Sequence, residues 1–161
     1  MGASRSLERH AGRKWGCIAS REMEGEPIVK RKRILVVDDE IYIAHILEFS
    51  LGMEGYEVIT ATCGNDALAL ADQKDPDLIV LDIMMPDMDG YQVCKRLRAD
   101  DRFAELPIIL LSGIHGSADR QEGLEVGASA YLTKPFRPME LIEQVHDLLE
   151  GSFSHGEEAA I

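Results

Sequence analysis

The sequence predicts an open, doubly wound α/β fold: a five-stranded parallel sheet with helices on both faces. Short apolar runs alternate with amphipathic helical patterns from Arg33 to residue 150, and strict βα alternation is the pattern of a parallel sheet. The Ile34-Leu35-Val36-Val37 run is apolar on both faces, as a strand covered by helices on either side requires. Five βα units are too few for an eight-stranded barrel. Right-handed crossovers and short connections favour the open sheet.

Ile34-Leu35-Val36-Val37 reads as the first strand. Ala44, Leu47 and Leu51 follow at i, i+3 and i+7, one face of a helix, with Gly52 and Gly55 as candidate terminators. Tyr56 to Thr60 is the second strand, and Ala67, Leu70 and Ala71 mark a second helix that stops before Pro76. Leu78-Ile79-Val80-Leu81 is the third strand, and Gly90, Val93, Cys94 and Leu97 line the third helix. Ile108 to Leu111 is the fourth strand, followed by a short helix from about Ser117 to Val126. Ala130 to Thr133 is the fifth strand, and Leu141, Val145 and Leu148 define a closing amphipathic helix.

Outside this 31–150 domain, residues 1–30 carry no apolar period and are expected to be a disordered tail. Met23 competes with Met1 as the true start, because the ordered pattern begins about ten residues after it. Residues 151–161 are small and polar, expected to form a short flexible tail and too few for an output domain.

The net charge of −12 hides a split. Residues 1–33 hold nine Lys/Arg against four Asp/Glu, whereas residues 34–161 hold eight against twenty-five. So acidic a body is repelled by phosphate backbones, which argues against direct DNA binding. The three cysteines, Cys17, Cys63 and Cys94, are odd in number and far apart. No Cys/His pair has zinc spacing, which speaks against a disulfide scaffold and a zinc module. No apolar stretch approaches the ~20 residues of a membrane span, and no signal peptide opens the chain. The expectation is a cytoplasmic protein with no membrane contact.

In such a sheet, ligands bind beyond the carboxyl ends of the strands, at the switch point of strand order. Asp38, Asp39 and Glu40 follow the first strand, Asp82 the third, Ser112 the fourth and Lys134 the fifth. If the order is 2-1-3-4-5, the first and third strands are neighbours and Asp38, Asp39 and Asp82 converge. Three such carboxylates cannot all stay ionised alone: one pKa rises, or a metal neutralises them. Oxygen ligands call for a hard divalent ion, and magnesium commonly takes one or two carboxylates plus a phosphate. With the Lys134 ammonium and the Ser112 hydroxyl, the set forms a clamp for a phosphoryl group.

At these residues the chain resembles the receiver domain of two-component response regulators, in its stand-alone, chemotaxis-regulator-like form, over roughly residues 32–150. The matching stretches are Ile34-Leu35-Val36-Val37-Asp38-Asp39-Glu40, Asp82-Ile83-Met84-Met85-Pro86-Asp87-Met88-Asp89-Gly90, Pro107 to Ser112, and Tyr131-Leu132-Thr133-Lys134-Pro135-Phe136. Singly each is weak. Four in order, each at the end of the right strand, are specific. The resemblance implies a flavodoxin-like sheet of order 2-1-3-4-5 and a phosphoacceptor rather than a true enzyme. It implies that Asp82 accepts a phosphoryl group from a phosphohistidine. Asp39 and Asp82 would bind Mg2+ directly, Asp38 through water, with the backbone carbonyl of Met84 completing the shell. Lys134 would pair with the phosphoryl oxygens, Ser112 would bond to them, and Tyr131 would turn inward behind it. A cis Lys134–Pro135 bond is implied too. The implied partners are a sensor histidine kinase or histidine phosphotransfer domain and a downstream protein target, with a phosphorylation-dependent homodimer also allowed.

Some residues depart from the family's pattern. Gly113 stands where alanine is commoner, so a softer switch is expected. Met84 and Ile114 flank the path of a hydrolytic water and cannot orient it, so slow self-dephosphorylation is expected. Bland readings apply elsewhere. Asp87, Asp89, Asp100 and Asp101 read as solvated surface acids, His45 as surface or packing, and Cys94 as a small core residue. Two other functions fit the fold class less well. A flavin module would carry a Ser/Thr/Gly-rich loop after the first strand, and a carboxylate phosphatase would carry D-x-D there.

Overall fold

The computed structural model describes residues 30–113 and 117–160. Residues 1–29 of the expected N-terminal tail, both candidate start residues and Ile114 lie outside the described residues. The strands are β1 (Arg33–Val37), β2 (Glu57–Ala61), β3 (Leu78–Asp82), β4 (Ile108–Ser112) and β5 (Ala130–Thr133). All neighbours are parallel, in the order β2-β1-β3-β4-β5. The helices are α1 (Ile41–Met53), α2 (Gly64–Lys74), α3 (Gly90–Arg98), α4 (Ser117–Glu125) and α5 (Pro138–Ala160), with a 3-10 turn at Asp101–Phe103. The doubly wound fold read from the alternation is therefore the one observed.

Successive strand residues face opposite sides, and each side has its own apolar layer. Ile34, Val36, Leu78, Val80, Ile109 and Leu111 pack with Leu47 and Leu51 of α1 and Leu141 and Val145 of α5. On the other face, Leu35, Val37, Ile79, Leu81, Ile108 and Leu110 meet α2 and α3 through Ala67, Ala71, Val93, Cys94 and Leu97. The apolar side chains of β3 are fully buried, each contributing about 1.5–3 kcal/mol of transfer free energy. That double burial is why the central strands read as unbroken apolar runs.

Local details refine the expectations. Gly52 lies inside α1, whereas Gly55, with φ of 95°, makes the turn into β2. Left-handed backbone there favours glycine. Cys63 is half-buried at the start of α2, and Cys94 is buried in the core. His45 is exposed on α1. α5 continues to Ala160, through the stretch expected to be a flexible tail from Gly151. That stretch contains no proline and ends in Glu157-Glu158-Ala159-Ala160, all good helix formers. Gly151 and Gly156 each weaken a helix by only about 1 kcal/mol relative to alanine.

Gly90 shows how tightly α3 is seated against β3. Its N–H bonds the carbonyl of Ile83 at 2.8 Å, and a Cβ at this position would stand 2.6 Å from the Asp82 carbonyl oxygen. Backbone cannot yield as a side chain can, so Gly90→Ala is expected to destabilise the fold by about 1–3 kcal/mol. Urea denaturation reads the effect, and an unchanged midpoint would contradict the packing argument.

Candidate functional site

Among the described residues, the buried polar or charged side chains are Asp38, Asp82 and Ser112. Each stands at the carboxyl end of a central strand. Burying carboxylates is costly unless they are paired, so their presence on one rim is informative. The strand register brings them together. Val37 pairs with Leu81, which sets Asp38 beside Asp82, and Leu111 lies opposite Asp82 on the other flank. Asp38, Asp39 and Asp82 each offer a carboxylate oxygen within 4.8 Å of the others.

Lys134 enters from the end of β5. Its backbone N–H donates to the Ser112 carbonyl at 2.6 Å, tying the ends of β4 and β5 together. The Lys134–Pro135 peptide is cis. The Lys134 ammonium Nζ lies 3.0 Å from Asp38 Oδ2, 3.4 Å from Asp82 Oδ2 and 3.8 Å from Glu40 Oε1. Asp38 Oδ1 also accepts the Glu40 N–H at 2.9 Å. A cavity of about 360 Å³ opens over this set, lined by Asp39, Glu40, Asp82, Met84, Gly113 and Lys134.

Burial, then the charge of Asp38, pushes the Asp82 carboxyl up to about 7, with Lys134 and the Met84 N–H opposing them. Burial acts to lower Lys134, but its hydrogen bond to Asp38 and the charge of Asp82 more than offset this and hold it above the usual lysine range. The site therefore carries more negative charge than its one ammonium balances. Three clustered oxygen donors beside a cavity fit a hard divalent ion such as magnesium.

The structure thus brings Asp38, Asp39, Asp82 and Lys134 together, with Met84 lining the same cavity. Ser112 is buried at the rim end of β4. Tyr131 is set back: it pairs with Leu110, two residues before Ser112, and packs partly buried beside Gly123 of α4. Glu40 was not singled out as a site residue, yet it reaches Lys134 and lines the cavity. Its position directly after the Asp pair was the available signal.

The bland reading of three acids needs correction. Asp89 accepts the Gln92 N–H at 2.9 Å and caps α3, while Asp100 caps the 3-10 turn through the Arg102 N–H. Asp87 accepts the N–H groups of Gly64 and Asn65 at 2.9 and 2.8 Å. Those two bonds hold its carboxyl down at about 2. Local capping competes well with solvation because helix starts leave N–H groups unpaired.

A protein-family model described as the response regulator receiver domain matches residues 34–146. The chain belongs to this family. Among relatives of the receiver domain is the protein described as "Probable transcriptional regulator ycf27" of Cyanophora paradoxa. It is 50% identical over 121 residues, 75% of this chain and 49% of that protein. The alkaline phosphatase synthesis transcriptional regulatory protein PhoP of Bacillus subtilis (strain 168) is 46% identical over 121 residues, 75% of this chain and 50% of PhoP. This chain thus spans about half the length of the curated relatives it matches. In crystal structures, the Vibrio cholerae chemotaxis protein CheY4 superposes on the receiver domain with a TM-score of 0.72 at 36% identity. The match covers 74% of this chain and 100% of CheY4.

Proposed function

We propose that the domain is the phosphoacceptor of a two-component phosphorelay, with Asp82 as the acceptor. The carrying observation is a buried carboxylate at the switch point, beside two other acids and one ammonium, opening onto a cavity. An Asp82 oxygen forms the new bond to phosphorus while the phosphorus–nitrogen bond of a phosphohistidine breaks; with a proton already on the other ring nitrogen, the imidazole keeps the bond's electron pair and leaves neutral. Such transfer depends on positioning and on neutralising spread charge. Asp39 and Asp82 would hold Mg2+ directly, Asp38 through water, and the Met84 carbonyl would complete the set; bound there, the ion neutralises phosphoryl oxygens. The Lys134 ammonium takes the remaining charge, and Ser112 and Tyr131 carry the change from the rim toward α4 and β5.

The donor is a sensor histidine kinase or histidine phosphotransfer domain. An apolar groove of about 410 Å³ between α1 and the β5–α5 connection supports docking next to the site. It is lined by Ile43, Ile46, Leu47, Pro135, Phe136 and Pro138, with Lys134 at its edge. α1 also exposes Tyr42, Ile46, Phe49 and Met53, spaced as one helical stripe. A helical partner could bury this stripe while presenting histidine to Asp82. The output is a contact with a downstream protein, since the acidic body opposes direct DNA binding. None of the described helices is long and apolar enough to cross a membrane, in keeping with action in the cytoplasm.

Incubation with acetyl phosphate and magnesium chloride, followed by intact mass, tests the reading. The expected result is a gain of one phosphoryl group on the wild type and none on Asp82→Ala. Labelling of the Asp82→Ala protein would overturn the assignment.

A further inference from the structure

The segment 83–89 joins the phosphoacceptor strand to α3, and it is held from an unexpected side. α2 begins at Gly64 after Cys63, whose side chain makes no capping bond. The cap comes instead from Asp87, twenty-three residues away, with one oxygen on the Gly64 N–H and the other on the Asn65 N–H. The next residue reinforces the junction. A Cβ on Gly64 would lie 2.3 Å from Met88 Cγ, so the start of α2 rests directly on the side chain after Asp87. The far end of the segment is fixed separately, by the Asp89 cap on α3 and by the Gly90 N–H bond to Ile83. Between these anchors and Asp82 lies Met84, which lines the acid cavity.

We infer that Asp87 is a positioning residue for phosphorylation: by clamping the acceptor loop to the start of α2, it sets how the Met84 backbone and Asp82 are presented to a cation and a phosphoryl donor. The inference rests on the phosphoacceptor reading and adds a residue to it. Asp87 touches neither the cavity nor the reacting atoms. Outer-shell groups that orient ligands typically change metal affinity or activity by about 10–100-fold when removed, and the lower end applies here because the loop keeps its other anchors.

A cap and a clamp are separable. Asp87→Ala removes both; Cys63→Asp in the same chain can restore a cap from the helix's own N-terminal position without tying down the loop. We expect Asp87→Ala in the full chain to lower the melting temperature, weaken magnesium chloride binding by calorimetry about tenfold, and slow labelling by acetyl phosphate. Cys63→Asp/Asp87→Ala regains the melting temperature while magnesium affinity and labelling stay low. Asp87→Asn keeps an acceptor without the charge and falls nearer to wild type than Asp87→Ala, which separates positioning from the mere loss of a nearby negative charge. Recovery of magnesium affinity together with stability in the double variant would make Asp87 a helix cap and nothing more. Unchanged affinity in Asp87→Ala would do the same. Failure of the wild type to bind magnesium or take the phosphoryl group is a different result, and it counts against the phosphoacceptor reading itself.

Discussion

Asp82→Asn is expected to make the magnesium-free protein more stable at pH 7.5, by roughly 2–4 kcal/mol, while removing the phosphoacceptor. The reason is the raised carboxyl of Asp82, at about 7 in the folded chain against an ordinary value of 3.8. A folded-state pKa above the unfolded one means that the native protein holds the proton more tightly. This stability is fully present below pH ~4 and is lost as the pH rises to about 7. Above that, the native state carries an ionised Asp82 beside the buried Asp38, with one ammonium between them. Asparagine keeps the shape and cannot ionise. Urea denaturation in the presence of a chelator from pH 4.5 to 8 should show a falling stability curve for the wild type and a flatter one for the variant. The two curves converge at the acid end. A variant less stable than wild type at pH 7.5 would mean that the Lys134 contacts outweigh burial and repulsion, and that the site is not strained by its own charge. Added magnesium should narrow the gap by stabilising the wild type.

The conflict that strains this rim is also what made it legible. Asp38, Asp82 and Ser112 each directly follow a doubly buried apolar run, and a polar residue there has few bland explanations; Lys134 ends the half-buried edge strand β5. Strand order was implied by the family resemblance rather than by periodicity, and the register of Val37 with Leu81 completes the convergence. Long-range features were harder to see. The cap on α2 comes from a residue remote in sequence, whereas capping patterns are searched next to the helix, where Cys63 offers nothing. The reach of Glu40 to Lys134 depends on a side-chain direction that apolar periodicity does not encode. Leu110 opposite Tyr131 explains why that ring sits back from the rim beside α4; a motif places a residue on a strand but does not say how far it stands from its end. α5 outlasts its apolar stripe, because backbone hydrogen bonds and helix-forming residues can extend a helix after its packing face has ended.

Lys134→Met is expected to separate the two tasks of the ammonium. It bonds Asp38, which is wholly buried, at 3.0 Å and stands 3.4 Å from Asp82. Removing one partner of a buried ion pair commonly costs about 3–5 kcal/mol, because the remaining charge is left uncompensated. Here part of that loss is avoidable. The Asp82 carboxyl is already pushed up to about 7 in the folded chain, and without Lys134 its pKa moves further upward, so it can take a proton and relieve Asp38. The variant should therefore be destabilised by about 2–4 kcal/mol at pH 8 and by less at pH 6. That gives it a steeper loss of stability with rising pH than the wild type. The acidic oxygens lose their competitor, so magnesium binding by calorimetry should hold or strengthen. Labelling by acetyl phosphate should nevertheless fall by about 10²–10³-fold, the usual effect of deleting one charge-stabilising donor. Phosphoryl transfer lost while magnesium affinity is kept or raised is the signature of a lysine that serves the transferred group rather than the cation. If both decline together, Lys134 acts by holding the carboxylates in place; if labelling continues at the wild-type rate, it has no part in the transfer.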